Sequence, residues 1–133
     1  MERTGHCLCG AVQYTATLPE EGLGACHCEM CRRWTGGPYV SVRTLSITFH
    51  SDETLATYTS SHWAERGFCT TCGSSLFYRL TVPGRDLLML AAGSLDDLSG
   101  LALDHEVFID RRPDAWCFAG ELSGRTSAEV MGG

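Results

Sequence analysis

The sequence predicts a mainly β fold with few short helices. Three observations predict it. Apolar residues recur with period two in several short runs, and turn residues separate those runs. Glycine, at 15 of 133 residues, favours turns over long helices. Only one stretch, Cys28 to Trp34, reads as a helical turn.

The elements follow in chain order. Val12, Tyr14 and Ala16 alternate with Gln13 and Thr15, the pattern of a half-buried strand. The helical turn comes next and falls directly on a cluster of cysteines. Leu45, Ile47 and Phe49 alternate with Ser46 and Thr48. Leu76, Tyr78 and Leu80 are interleaved with Phe77 and Arg79, and Pro83-Gly84 then makes a turn before the apolar run Leu87 to Ala92. Val107 and Ile109 continue the theme. The segment 123–133 is small and polar and is expected to be a flexible tail beyond a domain over residues 1–122. There is no internal repeat, linker or low-complexity block. A chain of 133 residues suits one domain and is long enough to bury a core without the help of a metal.

The formal charge is -6. No basic run is present, since Arg32-Arg33 and Arg111-Arg112 are isolated pairs, so nucleic acid is not an expected partner. Met1 to His6 contains no apolar stretch of the kind a signal peptide needs. No segment approaches the ~18 apolar residues of a membrane span. The expectation is a cytoplasmic protein, and in that compartment thiols stay reduced. Eight cysteines there read as metal ligands before disulfides.

Their spacing supports that reading. Cys7-Leu8-Cys9 is followed by Cys26-His27-Cys28-Glu29-Met30-Cys31 and then by Cys69-Thr70-Thr71-Cys72. The unit Cys69-x-x-Cys72-Gly73 has the form of a zinc knuckle. Its two-residue gap lets both sulfurs reach one ion, and the glycine lets the chain turn back so that N–H groups point at the sulfurs. Cys7-x-Cys9-Gly10 is a shorter version. Zinc takes four ligands at tetrahedral angles, so two such pairs close one site. If Cys7, Cys9, Cys69 and Cys72 do so, Cys26, Cys28 and Cys31 remain as a trio with a fourth position open, the mark of a catalytic rather than a structural zinc. Spacing alone leaves the partition open. Cys28 and Cys31 could equally join Cys69 and Cys72, leaving Cys7, Cys9 and Cys26. His6 or His27 could fill a fourth position, although in extended chain His27 points away from its neighbours Cys26 and Cys28.

Four segments carry a resemblance. They are Cys26-His27-Cys28-x-x-Cys31-Arg32-Arg33, Arg66-Gly67-Phe68-Cys69-x-x-Cys72-Gly73, Gly93-Ser94-Leu95-Asp96, and His105 with Arg112-Pro113 and Trp116. Together they resemble the glutathione-dependent formaldehyde-activating enzyme family, which also includes centromere protein V, over roughly residues 5 to 118. The resemblance implies a β-tent fold of the Mss4-like kind. It implies a structural zinc on Cys7, Cys9, Cys69 and Cys72 and a catalytic zinc on Cys26, Cys28 and Cys31, two ions per chain. It also implies condensation of formaldehyde with glutathione to S-hydroxymethylglutathione, a carbon–sulfur lyase in the reverse sense, so the expected partners are a small thiol, glutathione or similar, and an aldehyde.

Plainer roles stand beside these. Arg32 and Arg33 read either as a solvated helix end or as the residues that favour an anionic thiolate substrate near the metal. Cys117 reads as a small apolar residue beside Trp116. His105 reads as a hydrogen-bonded structural histidine, Trp34, Trp63 and Trp116 as core or pocket wall, and Asp96 and Asp97 as a turn signal. A rival to the enzyme is a non-catalytic module, in which zinc stabilises a β scaffold that binds another protein. The fourth ligand of the trio discriminates, because a closed site favours the module and an open one the enzyme.

Overall fold

The computed structural model describes residues 1–132. Along them run β1 (Glu2–His6), β2 (Gln13–Thr17), β3 (Leu23–Cys26), α1 (Glu29–Thr35), β4 (Tyr39–Thr44), β5 (Ser46–Ser51) and β6 (Leu55–Thr59). Then come β7 (Ala64–Cys69), β8 (Ser75–Leu80), β9 (Leu88–Ala91), β10 (Leu103–Val107), β11 (Ser123–Arg125) and α2 (Ser127–Gly132), with 3₁₀ turns at Ala92–Ser94 and Ile109–Arg111. The protein is mainly β, with its cysteine clusters set in the turns and strand ends. Its one domain's length of chain is organised as two compact units: Met1–Glu21 with Ser41–Gly100, and Gly22–Val40 with the chain from Leu101 onward. No helix among the described residues is long and apolar enough to cross a membrane.

The first unit contains two antiparallel sets of strands. β1, β2 and β5 form one, in that order. β4, β9, β8, β7 and β6 form the other. The period-two residues Val12, Tyr14 and Ala16 are all buried, as a strand with one face on a core requires. Tyr14, Phe49 and Phe77 meet edge to face or tilted, with centroids 6.2 and 6.1 Å apart. Leu76 and Phe77 are neighbours in sequence, yet both are buried. Opposite them the pairing shifts register between Gly67 and Phe68, which releases β8 from strict alternation. Gly67 is required there, because a Cβ would lie 2.3 Å from the Phe77 ring. Leu45 departs from its expected role. It sits at the corner between β4 and β5, 58 % exposed, where its N–H rather than its side chain is used, donating to the Thr17 carbonyl at 2.8 Å.

The second unit is a small parallel sheet with β10 between β11 and β3. β3 leads straight into α1. Cys28 occupies the helix N-cap and its sulfur accepts the Cys31 N–H at 3.3 Å. Gly36, with φ 82°, closes the helix, and its N–H returns to the Arg32 carbonyl. The segment expected to lie loose, 123–133, carries β11 and α2 through residue 132, and Gly133 lies outside the described residues. Thr126 and Glu129 form a capping box: the Thr126 N–H donates to Glu129 Oε1 at 2.9 Å, and the Glu129 N–H donates to Thr126 Oγ1 at 3.2 Å. Asp110 also accepts the Ser127 N–H and hydroxyl at 2.6 and 2.7 Å. Capping residues and the residues of polar tails are the same types, so composition does not distinguish them.

Candidate metal centres

The first centre is built within one unit from two turns that repeat one backbone pattern. In the first, the Cys7 N–H donates to the Val12 carbonyl and the Gly10 N–H returns to the Cys7 carbonyl, at 3.1 and 3.0 Å. In the second, the Cys69 N–H donates to the Ser74 carbonyl and the Gly73 N–H returns to the Cys69 carbonyl, at 3.1 and 2.8 Å. Gly10 and Gly73 have φ of 80° and 78°, a conformation that costs glycine little and other residues more. The turns bring the sulfurs of Cys7, Cys9, Cys69 and Cys72 all within 4.8 Å of one another. Cys7 to Cys9 is 3.6 Å and Cys9 to Cys69 is 3.8 Å. A disulfide would need about 2.05 Å. Four sulfurs about 2.3 Å from a tetrahedral zinc stand about 3.8 Å apart, so the donor set fits that ion.

Hydroxyl and N–H groups surround these sulfurs. Ser74 Oγ accepts the Leu8 N–H at 3.0 Å and lies 3.1 Å from the Cys72 sulfur, so one side chain bridges both turns. Thr54 Oγ1 lies 3.3 Å from Cys69, and the Val12 N–H donates to Cys7 at 3.3 Å. The Ser74 hydroxyl, with the Cys9 and Ser74 N–H groups, holds the Cys72 thiol down to about 5. Thr54 lowers Cys69 in the same way. The Ala11 N–H favours the Cys9 thiolate, but burial and the sulfurs of Cys7, Cys72 and Cys69 push that thiol up to about 11. Four sulfurs this close cannot all ionise without a cation among them.

The second centre lies at the end of β3 and the start of α1. The sulfurs of Cys26, Cys28 and Cys31 are within 4.8 Å of one another, and among the described residues no fourth Cys, His, Asp or Glu joins them. The Cys28 and Cys31 sulfurs push the Cys26 thiol far above its ordinary value, again a set of donors that a cation would relieve. His27 is not in the set. Its imidazole is buried and its Nε2 lies 2.8 Å from Glu106 Oε1 on β10, as alternation along an extended chain requires. His6 is engaged elsewhere, with Nδ1 2.6 Å from the Cys7 carbonyl and Nε2 3.4 Å from Asp96.

Glu106 anchors more than His27. Arg112 Nη1 donates to both of its carboxylate oxygens, at 3.1 and 3.2 Å. Burial opposes ionisation of Glu106, but His27 and Arg112 outweigh it and hold its carboxyl below the usual range. Arg112 reaches back because β10 stops abruptly: Phe108 takes the left-handed conformation, φ 57° and ψ 44°, and a 3₁₀ turn follows. That conformation costs a non-glycine residue about 1–2 kcal/mol.

The remaining sequence-predicted residues disperse. Arg33, exposed on α1, pairs with Glu29 at 2.9 Å, whereas Arg32 is half-buried on the same helix. His105 Nδ1 lies 2.6 Å from Asp104, and its ring covers Gly24, where a Cβ would meet Nε2 at 2.3 Å. Cys117 is exposed rather than buried beside Trp116. Asp96 accepts from Thr4 Oγ1 at 2.7 Å, and Asp97 Oδ1 accepts the Ser99 N–H at 2.9 Å in a turn. Spacing pointed to none of Ser74, Thr54, Glu106 or Arg112. Ser74, just beyond the Cys72-Gly73 turn, had a positional signal, but Thr54, in the turn before β6, and Glu106, on β10, are brought close only by folding.

Comparison with known proteins follows the same outline. The model of the glutathione-dependent formaldehyde-activating enzyme family matches residues 2–111. A Schizosaccharomyces pombe protein named as an uncharacterized lyase is 35 % identical over 131 residues, which cover 98 % of this chain and 95 % of that one. A structural-genomics crystal structure of a Rhodobacter sphaeroides protein superposes with a TM-score of 0.60 at 23 % identity, covering 75 % of this chain and 98 % of that one, and so shares the fold. The chain belongs to the glutathione-dependent formaldehyde-activating enzyme family.

Proposed function

We propose that this protein is a zinc-dependent carbon–sulfur lyase that joins a small thiol to an aldehyde, and separates the adduct again, at Cys26, Cys28 and Cys31. Cys7, Cys9, Cys69 and Cys72 hold a structural zinc in this reading. The observation that carries it is the difference in donor number: four sulfurs converge in one centre and three in the other. Zinc bound to the trio would lower the pKa of a thiol at the remaining position and present it as a thiolate at neutral pH. The thiolate sulfur would bond to the aldehyde carbon as the C=O π bond opens, and the proton lost by the thiol would end on the aldehyde oxygen. The reverse step breaks that same bond.

The chain's own residues set the charge around this step. Three thiolates and a divalent cation leave a net charge of about -1, and an incoming thiolate makes it about -2. A guanidinium nearby offsets that charge and can pair with a substrate carboxylate. Arg32 directly follows Cys31 and is half-buried, so it carries more of this role than Arg33, which Glu29 already engages. The thiol class is therefore anionic, glutathione or a similar small carboxylated thiol, and the aldehyde is small.

Cobalt in place of zinc makes thiol binding visible as a thiolate-to-metal absorption change. Glutathione and neutral mercaptoethanol are titrated into wild type, Arg32→Ala and Arg33→Ala, and formaldehyde loss is followed beside the uncatalysed mixture. The expected result is a spectral change at millimolar thiol or below, faster formaldehyde consumption, and weakened glutathione preference in Arg32→Ala. A spectrum that no thiol perturbs would replace this reading with that of a protein-binding module.

A further inference from the structure

A metal held by three side chains depends on those three being fixed beforehand. The four-sulfur centre has two glycine turns and a bridging serine to fix its ligands. The trio has no glycine directly after its cysteines, and Cys26 and Cys28 flank a residue that faces the other way. That residue is His27. Its N–H donates to the Val107 carbonyl at 3.1 Å, and its Nε2 lies 2.8 Å from Glu106. The same stretch of β10 pairs in parallel with β3, Ala25 opposite Glu106 and Cys26 opposite Val107. Main chain and side chain thus tie the Cys26–Cys28 segment to one strand, 79 residues away in sequence.

The tie is braced from behind. Glu106 is 6 % exposed and accepts from Arg112 on both oxygens. An ionised carboxylate only accepts, so Nε2 is the donor, and Nδ1 finds no protein partner among the described residues. The ring therefore has one polar anchor, Glu106, with Phe118 tilted against it at 6.1 Å. The left-handed Phe108 lies between Glu106 and Arg112 and turns the chain so that Arg112 returns to Glu106.

We propose that His27, Glu106 and Arg112 form a positioning strut that holds Cys26 and Cys28 in metal-binding geometry. His27 touches no reacting atom. It acts through the backbone of its two neighbours. The proposal rests on the reading of the trio as a metal site, and concerns metal affinity and ligand geometry rather than turnover.

The test measures the second metal directly in the full chain. Wild type, His27→Leu, His27→Gln and Glu106→Gln are loaded with cobalt, and affinity at each site is read by chelator competition together with the visible spectrum. Cys28→Ser marks the signal of the four-sulfur centre alone. His27→Leu should keep the four-sulfur signal and bind the second cobalt more weakly by roughly 10–100-fold, the usual cost of losing an outer partner. His27→Gln, whose amide can place a donor near the position of Nε2, should recover much of that loss. Glu106→Gln keeps the shape and removes the charge, and should weaken the second site by about tenfold. If His27→Leu does not fold, Glu106→Gln decides. Second-site affinity and spectrum unchanged from wild type in the folded variants would overturn the proposal and leave the thiol reading standing. A wild-type second cobalt that binds but meets no thiol would overturn the enzyme reading and leave the strut intact. One cobalt per wild-type chain would overturn both.

Discussion

The two cysteine centres solve the same problem with different materials. At Cys7, Cys9, Cys69 and Cys72 the ligands come in pairs on glycine turns, and hydroxyls of Ser74 and Thr54 meet two of the sulfurs. At Cys26, Cys28 and Cys31 the sulfurs span a strand end and a helix start, and His27 between the first two meets buried Glu106. The first arrangement offers four sulfurs to one ion and brings together chain segments some sixty residues apart. The second offers three, and in the proposed reading leaves a coordination position to a substrate. A centre that must exchange a ligand cannot use that ligand for rigidity, so rigidity has to come from the fold around it.

The sharpest way to break this contrast is to remove a ligand from each centre. Structural zinc contributes on the order of 10–16 kcal/mol in small peptides, as much as the net stability of a whole domain. Cys69→Ser or Cys9→Ser should therefore give insoluble or unfolded protein, seen as loss of the β-type circular dichroism spectrum. Cys28→Ser should keep that spectrum, lose about one of two zinc ions by metal analysis, and lose formaldehyde consumption. Equal collapse of the two variants would erase the distinction, as would a single zinc in wild type.

A smaller effect sharpens the first centre. Ser74→Ala removes the hydroxyl that bridges Cys72 and the Leu8 N–H. Loss of one hydrogen bond to a thiolate should lower the melting temperature by about 3–8 °C with both metals retained. Ser74→Thr, which keeps the hydroxyl, should lose less. A further comparison uses acid. Glu106 has its carboxyl held below the usual range, so its contribution is fully present above about pH 4.5 and is lost as pH falls through the lower folded value. Glu106→Gln should remove that part of the acid sensitivity, read as a shallower fall of melting temperature below pH 4.5 than in wild type. Smallest of all, Arg33→Ala breaks an exposed pair with Glu29 and should move the melting temperature by less than about 2 °C.

Much of the fold was legible because burial on one face writes period two into a strand. Val12, Tyr14 and Ala16 are the clearest case, and the helical turn at Cys28 to Trp34 coincides closely with α1. The exceptions have local causes. Leu45 belongs to a corner rather than a strand, Leu76 and Phe77 escape alternation through a register shift, and Ile109 leaves β10 because Phe108 turns the chain. The parallel pairing of β3 and β10 was not legible, since hydrophobic pattern sets which face is buried and not which strand lies alongside.

The sequence by itself determined which residues could share a metal ion. Cysteines separated by one or two residues, with glycine just after, are constrained by bond lengths to turns that can share an ion, and that constraint is local. Its pattern also determined that His27 faces away from Cys26 and Cys28, because alternation along an extended chain is a covalent fact. Only the tertiary structure decided which pairs converge, since spacing allowed Cys69 and Cys72 to join either neighbour cluster. It alone brought Ser74 to the sulfur of Cys72 and the N–H of Leu8, and Glu106 to His27. Those contacts join residues up to 79 positions apart, and no local propensity encodes a partner at that distance. They are fixed by strand order and register, which are collective outcomes of packing the whole chain.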